Sequence, residues 1–308
     1  MNVVTGAFGY IGREIARQLL AQGEQVRTIT THPDKPNPFG GMVEAFPYDF
    51  TDPERLAGHL AGARTLFNTY WIRFEHAGAT FDQANANTRT LLAAARHAGV
   101  QRIVHISVTR PAIDSELPYY RGKARQEFDV AASGLGYAII RPTLVFGQGD
   151  ILVNNIAWLM RRFPVFPIFD GGEYRLQPVH VSDVARIAIQ ASQQRGNSVW
   201  DAAGPDTYTF RQFARLMRDR ISPATWLAPL PGWLGLRLGR LIGGAVGDVV
   251  LTAAELDGLR QEKLISDRPP LGAVGFGAWL TRHADGLGRS YASELARHFD
   301  WSTTRGEA

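Results

Sequence analysis

The stretch "NVVTGAFGYIGREIARQLLAQG", residues 2–23, decides the fold. "NVVT" is a short, mostly β-branched run and reads as a strand. "YIGREIARQLLAQG" sets Ile11, Ile15, Leu19 and Leu20 at helical spacing and stops at Gly23. Between the two lie Gly6, Gly9 and Gly12. A strand, a turn with glycines at this spacing and a helix are the parts of a dinucleotide-binding loop. The turn must be tight, the backbone must approach a pyrophosphate, and the helix must pack close to its strand. The N–H groups at the helix start then face the phosphates. Gly6, Gly9 and Gly12, with Phe8, Tyr10 and Ile11 among them, are the candidate pyrophosphate-binding residues.

Working outward, strand and helix patterns continue to alternate. "QVRTITT", "MVEAF", "RTLFNTY", "RIVHISV" and "GYAIIRPTLVFG" read as further strands, and "DQANANTRTLLAAARHAGV" as a long helix between two of them. Short strands separated by helices argue for a parallel sheet covered on both faces. The expected fold class is α/β, a Rossmann-type doubly wound parallel sheet with a smaller, mostly helical C-terminal cap. Residues 1–146 are the expected dinucleotide-binding domain, with 174–204 returning partly to the sheet. Residues 147–173 and 205–308 are the expected substrate-binding cap. From about Thr207 no clear strand is expected, and "HPDKPNPFGG" (32–41) reads as a loop.

Bulk properties narrow the function. The chain has 308 residues, 45% hydrophobic and 20% charged, as in a globular protein with a substantial core. It has no cysteine, which excludes disulfides, zinc–thiolate sites and a thiol nucleophile. The eight histidines show no metal-type spacing. The formal charge is only +4 and no Lys/Arg cluster tracks a phosphate backbone, so no nucleic-acid partner is expected. The apolar stretch "WLAPLPGWLGLRLGRLIGGAVGDVV" is broken by Pro229, Pro231, Arg237 and Arg240. It makes a poor spanning helix, but suits a lipid-surface contact or a lid over an apolar pocket. No signal peptide is evident, so a cytoplasmic location is expected; the oligomeric state is open.

The end of the second strand bears on the cofactor. An acid there accepts hydrogen bonds from a ribose 2′-hydroxyl and repels a 2′-phosphate. Here the strand ends "TITTHPDK", where Thr31, His32 and Lys35 can all donate to a phosphate. Asp34 lies slightly late and no arginine sits at the tip. The balance favours NADP(H) over NAD(H).

With "TGAFGYIG", "YYRGK" and "IIRPTLVFG", the chain resembles the short-chain dehydrogenase/reductase superfamily. It is most similar to the extended and atypical branches. These hold the NAD-dependent epimerase/dehydratase-like proteins, the NmrA-like regulators and the nucleotide-binding accessory subunit of respiratory complex I. "YDFTDPERL", "NTRTLLAAARHAGVQRIVHIS" and "VHVSDVA" extend the match. The resemblance implies that Asp49 and Phe50 flank the adenine and that Asn68, Thr69 and Tyr70 border the ribose and pyrophosphate. It implies that Asn87, Ser107, Tyr119, Lys123 and Pro142 complete the cofactor site. It further implies a catalytic Tyr119–Lys123 pair, one helical turn apart. The family's Ser or Thr falls here at Val108, leaving Ser107 and Thr109 as alternative third catalytic residues. Both point away from Val108 in a regular strand.

Chemistry explains why such a pair is needed. A free tyrosine has a pKa near 10, too high for efficient proton exchange at neutral pH, and a neighbouring ammonium favours the phenolate. Tyr120 is also within a turn of Lys123, so spacing alone does not exclude it. The expected activity is an NAD(P)-dependent oxidoreductase acting on a carbonyl/alcohol pair of a small-molecule substrate. Epimerisation or dehydration, and a non-catalytic redox-sensor or assembly role, are the alternatives. Sugar-nucleotide epimerases often carry an Arg-Asp pair in the region that here reads "EYRLQPVHV". Arg175 is displaced and Gln177 replaces the acid. Together with Phe163, Phe166, Phe169, Trp226 and Trp233 in the cap, this favours an apolar substrate. His180 and Asp183 are expected to tie the cap to the sheet, without a catalytic part.

Overall fold

The strands β1 (Asn2–Thr5), β2 (Val26–Thr30), β3 (Val43–Pro47), β4 (Thr65–Asn68), β5 (Arg102–Ile106) and β6 (Gly136–Pro142), with Ser198–Ala202, form one seven-stranded sheet. Its order is Ser198–Ala202, β6, β5, β4, β1, β2, β3, and its neighbours pair in parallel. This computed structural model describes residues 1–298. The last ten residues of the expected cap, 299–308, lie outside the described residues.

Helices α1 (Tyr10–Ala21), α2 (Pro53–Leu60), α3 (Phe81–His97) and α4 (Pro118–Ala132) make the crossovers, with Val181–Ser192 returning to the sheet. The period-two alternation of the strands sends adjacent side chains to opposite faces. Val4, Phe67, Val104 and Ile140 join Ile15 and Leu19 of α1 and Val184 and Ile187 in one core layer. Val3, Leu66, Ile103 and Ile139 join Leu56 of α2, Leu91 of α3 and Val130 of α4 in the other. Such strands are apolar on both sides because both faces are covered, which is the doubly wound Rossmann-type fold.

The chain divides into two compact units. The first holds residues 1–145, 179–203 and 266–273. Asp183 fixes the last of these segments, accepting a hydrogen bond from Ala273 N at 2.9 Å. Arg110 adds an ion pair to Asp267 at 2.5 Å. The second unit holds residues 146–178, 204–265 and the chain from 274. Its helices include Ile151–Arg162, Phe210–Ile221, Gly232–Val246 and Phe276–His283. Its core stacks Phe213 on Phe276 at 4.6 Å, with Phe146 edge-on at 5.0 Å.

The expectation of no strand after Thr207 is corrected. Tyr208–Thr209 pairs antiparallel with Arg175–Leu176, and Trp226–Leu230 pairs in parallel with Val165–Phe169. "WLAPL" hides its strand character behind Pro229. In a two-stranded ribbon each strand keeps an open edge, where a residue without an N–H is tolerated.

Candidate functional site

The site residues gather just beyond the C-terminal ends of β1, β2, β4, β5 and β6. In an open α/β sheet ligands bind at that edge, where strand order reverses; here the reversal lies between β1 and β4.

The loop after β1 is pinned by buried polar groups. Thr28 Oγ1 donates to Val4 O at 2.7 Å and accepts from Ala7 N at 2.9 Å, while Gly6 N donates to Ile29 O at 2.8 Å. Gly6 has φ +63°, in the left-handed region. A Cβ on Gly12 would collide with Gly6 O and lie 2.8 Å from Gly6 C, so α1 can approach β1 only with glycine there. Gly9 caps α1 without a side-chain hydrogen bond, and the first turn carries no acid. The first N–H groups of α1 thus have no side-chain cap, the arrangement an anionic pyrophosphate requires. Phe8 and Ile11 are partly buried and pack on the core, and Tyr10 opens the helix.

At the tip of β2, Thr31 and Asp34 are exposed, and His32 and Lys35 are half-buried. Lys35 N donates to His32 O at 3.2 Å, closing a turn there. Beyond β3, Phe50 stacks on Tyr48 at 5.0 Å, and Tyr70 packs against both. Asn87 Nδ2 donates to the Tyr70 hydroxyl at 2.8 Å. The fold thus brings Phe50, Tyr70 and Asn87 together. Asp49 instead faces Arg55 at 3.3 Å.

A buried polar chain runs beneath the loop. Thr69 N donates to Thr5 Oγ1 at 2.7 Å, and Asn68 Oδ1 accepts from Tyr70 N at 3.1 Å. With its oxygen so engaged, Asn68 turns Nδ2 to His105 Nδ1, 3.1 Å away. Nδ1 must then accept, placing the imidazole proton on Nε2. Burial, aided by the nearby Lys123 charge, holds the pKa of His105 well below its ordinary value. The ring is neutral.

Ser107 and Thr109 lie beyond β5, and their N–H groups extend its ladder to Ile140 O and Pro142 O at 2.7 and 3.0 Å. Both residues and the intervening Val108 are buried. Among the described residues Ser107 Oγ has no hydrogen-bond partner.

On α4, Tyr119 is half-buried, whereas Tyr120 is only 7% exposed. Lys123 is 3% exposed. Its ammonium donates to Ile106 O at 2.9 Å and Gln126 Oε1 at 3.3 Å, and lies 4.6 Å from the Trp71 ring centroid. Burial pulls its pKa down to about 7, and the Glu127 charge opposes the shift. Trp71 also meets the Tyr119 ring edge-on at 6.0 Å. Gly122 makes this possible, since a Cβ there would stand 2.7 Å from the indole.

Residues 6–151 match the NAD(P)H-binding family model. Over that stretch the chain is similar to NAD(P)-binding proteins of the extended short-chain dehydrogenase/reductase type. The proteins it is similar to carry different names. It is 28% identical over 229 residues to the Arabidopsis thaliana mitochondrial NADH dehydrogenase [ubiquinone] 1 alpha subcomplex subunit 9, covering 71% of this chain and 57% of that protein. It is 28% identical over 244 residues to a 4-hydroxy-2-methyl-3-oxo-4-farnesyl-3,4-dihydroquinoline-1-oxide ketoreductase of Stigmatella aurantiaca, covering 70% and 72%. Among solved structures, the Citrobacter sp. triphenylmethane reductase complexed with NADP(H) has a TM-score of 0.74 at 18% identity, covering 92% of this chain and 99% of that one. Against the mitochondrial subunits of plant, slime mould and rat, the match spans 57%, 62% and 66% of their length.

Sequence reasoning missed Trp71, Thr28, His105 and Gln126 as parts of this cluster. Trp71 directly follows the flagged Asn68–Tyr70 segment, so its position was the available signal. Gln126 gave none: its amide ties Lys123 to Thr88 Oγ1 at 2.6 Å, a contact between two helices. His180 Nδ1 accepts from Ser182 N at 3.3 Å, and Asp183 accepts from Ala273 N at 2.9 Å, both contacts within the first unit. Arg175 is held by Glu262 at 2.6 Å, and Gln177 Nε2 donates to Gly204 O at 2.8 Å.

Proposed function

We propose that the chain is an NAD(P)-dependent oxidoreductase acting on the carbonyl or alcohol of a small, apolar substrate, with Tyr119 as general acid/base. The observation that carries this reading is the shared wall of Trp71. The indole borders both the Tyr119 ring and the Lys123 ammonium, so the two groups lie on one side of α4. Tyr119 is the more open of the two tyrosines, which favours it over Tyr120.

Gly6, Gly9 and Gly12 with the uncapped start of α1 would hold the pyrophosphate. Phe50, Tyr70 and Asn87 would border the adenosine half. When bound, NAD(P)H supplies the hydride. Tyr119 Oη gives its proton to the carbonyl oxygen as that oxygen gains charge, and the phenolate recovers a proton from water. The Lys123 ammonium favours that phenolate. Thr31, His32 and Lys35, with no acid at the strand tip, favour NADP(H). Arg175 and Gln177, both engaged within their own unit, offer no pair for a nucleotide-sugar.

One observation favours a second reading, a non-catalytic NAD(P)-binding subunit. The Lys123 ammonium is spent on Ile106 O, Gln126 and Trp71, and the family's hydroxyl position is Val108. Titration with NADPH and NADH, followed by turnover on a panel of apolar ketones and quinones, separates the two. The enzyme reading expects NADPH to bind more tightly. It expects Tyr119→Phe to lower turnover at least about a hundredfold without changing cofactor affinity, and Tyr120→Phe to do little. Cofactor binding with no turnover on any member of the panel, or wild-type turnover in Tyr119→Phe, favours the subunit reading.

A further inference from the structure

We propose that the outer face of the helix Gly232–Val246, with the neighbouring Trp226 edge, seats the protein on an anionic lipid surface. The helix is packed inside out. Gly232, Gly235, Gly239 and Gly243, one helical stripe, face the protein. A Cβ at Gly235 would enter the Phe169 ring, and one at Gly243 would stand 2.5 Å from Asp248 O. The large side chains are left outside, with Trp233 59% and Leu241 71% exposed. Leu234, Leu238 and Leu241 follow one another at i, i+4 and i+7, so they share the outward stripe.

The ribbon beneath extends this surface. Val165 and Phe169 lie on the same side of their strand by alternation, and Phe169 is the ring that meets Gly235. Trp226 is the register partner of Val165 and is 65% exposed. Scattered exposed apolar residues are ordinary, but a run of tryptophans and leucines on one face is an interaction surface.

Charge selects the occupant. Residues 220–247 contain Arg220, Arg237 and Arg240 and no acid. Among the described residues neither Arg237 nor Arg240 has a carboxylate at ion-pair distance; Arg237 lies 5.3 Å from the Trp233 centroid. Unpaired arginines flanking an apolar stripe, with tryptophan at the polar–apolar boundary, match a headgroup layer with acyl chains beneath. No described helix is long and apolar enough to cross a membrane, so the contact is interfacial.

The test is co-sedimentation of the full chain with phosphatidylcholine vesicles and with vesicles that also contain phosphatidylglycerol. The expected result is binding to the anionic vesicles, weakened by salt. Leu241→Asp and Leu241→Ser should each reduce partitioning at least about tenfold. Arg237→Glu with Arg240→Glu should abolish the preference for phosphatidylglycerol. Thermal midpoints equal to wild type would show that the variants fold, as the exposure of these side chains predicts. No binding to either vesicle, or unchanged binding by both Leu241 variants, overturns the proposal. So does a wild-type dimer in light scattering that Leu241→Asp dissociates without any vesicle binding, which would make the face a contact between two copies.

Discussion

Lys123 is the residue whose environment says most about this protein. A lysine at the helix surface would keep its ordinary pKa near 10.4, yet burial brings this one down to about 7. The consequence for stability has a definite sign. Between pH 7 and about 10 the unfolded chain holds a proton that the folded chain has released, so stability rises with pH. Below pH 7 both states are protonated and the full burial penalty is present. Urea titrations at neutral and alkaline pH should show wild type gaining up to about 1.4 kcal/mol per pH unit from this group. Lys123→Met should flatten the profile by that amount. His105 acts on the acid side. Its folded pKa lies well below the ordinary value, so stability falls as pH drops below about 6.5 and the unfolded imidazole takes up a proton. A nitrogen-detected NMR titration should find His105 neutral, with its proton on Nε2, through that range.

Among the elements, the junction of β1 and α1 depends on two glycines for different reasons. Gly12→Ala drives a methyl into the backbone of Gly6, which cannot yield without moving the strand. A cost of about 1–3 kcal/mol in urea denaturation and loss of NAD(P)H binding are expected. At Gly9 a Cβ would lie 3.2 Å from Gly6 O, a milder contact, so Gly9→Ala should mainly weaken the cofactor. The attachment of α4 to β6 rests on Glu127, buried and held by Arg141 at 2.6 and 2.9 Å. Arg141→Ala strands that carboxylate and should cost about 1.5–3 kcal/mol, read as a lower urea midpoint with unchanged slope.

At the scale of the whole molecule, the chain leaves the sheet unit after Val145 and revisits it twice. The last visit, residues 266–273, is tied to the sheet by Ser266 Oγ donating to Asp201 Oδ2 at 2.6 Å, Arg268 to Val199 O at 2.6 Å and Gly272 N to Ala203 O at 2.8 Å. In addition, Asp183 holds Ala273 N, Arg110 holds Asp267, and Arg186 donates to Leu271 O at 2.7 Å. Asp183→Ala removes a charged acceptor that is 4% exposed. Limited proteolysis should then cut within 266–273 at least about tenfold faster, since a hydrogen bond to a charged group is worth about 1.5–3 kcal/mol.

The sheet and its phosphate loop were legible in the residues because they depend on local patterns. Alternating apolar runs, helical spacing from Ile11 to Leu20 and glycines at 6, 9 and 12 each leave a mark within a few positions. The Tyr119–Lys123 spacing was legible for the same reason. Tertiary structure alone decided what surrounds those residues. Trp71 meets Lys123 across fifty-two positions of chain, Asn68 meets His105 across thirty-seven, and Gln126 meets Thr88 across thirty-eight. The strand Trp226–Leu230 exists only because Val165–Phe169 pairs with it. Burial and partner choice are properties of the packed interior, and it is burial, not the residue type, that brings the pKa of Lys123 down to about 7 and keeps His105 uncharged.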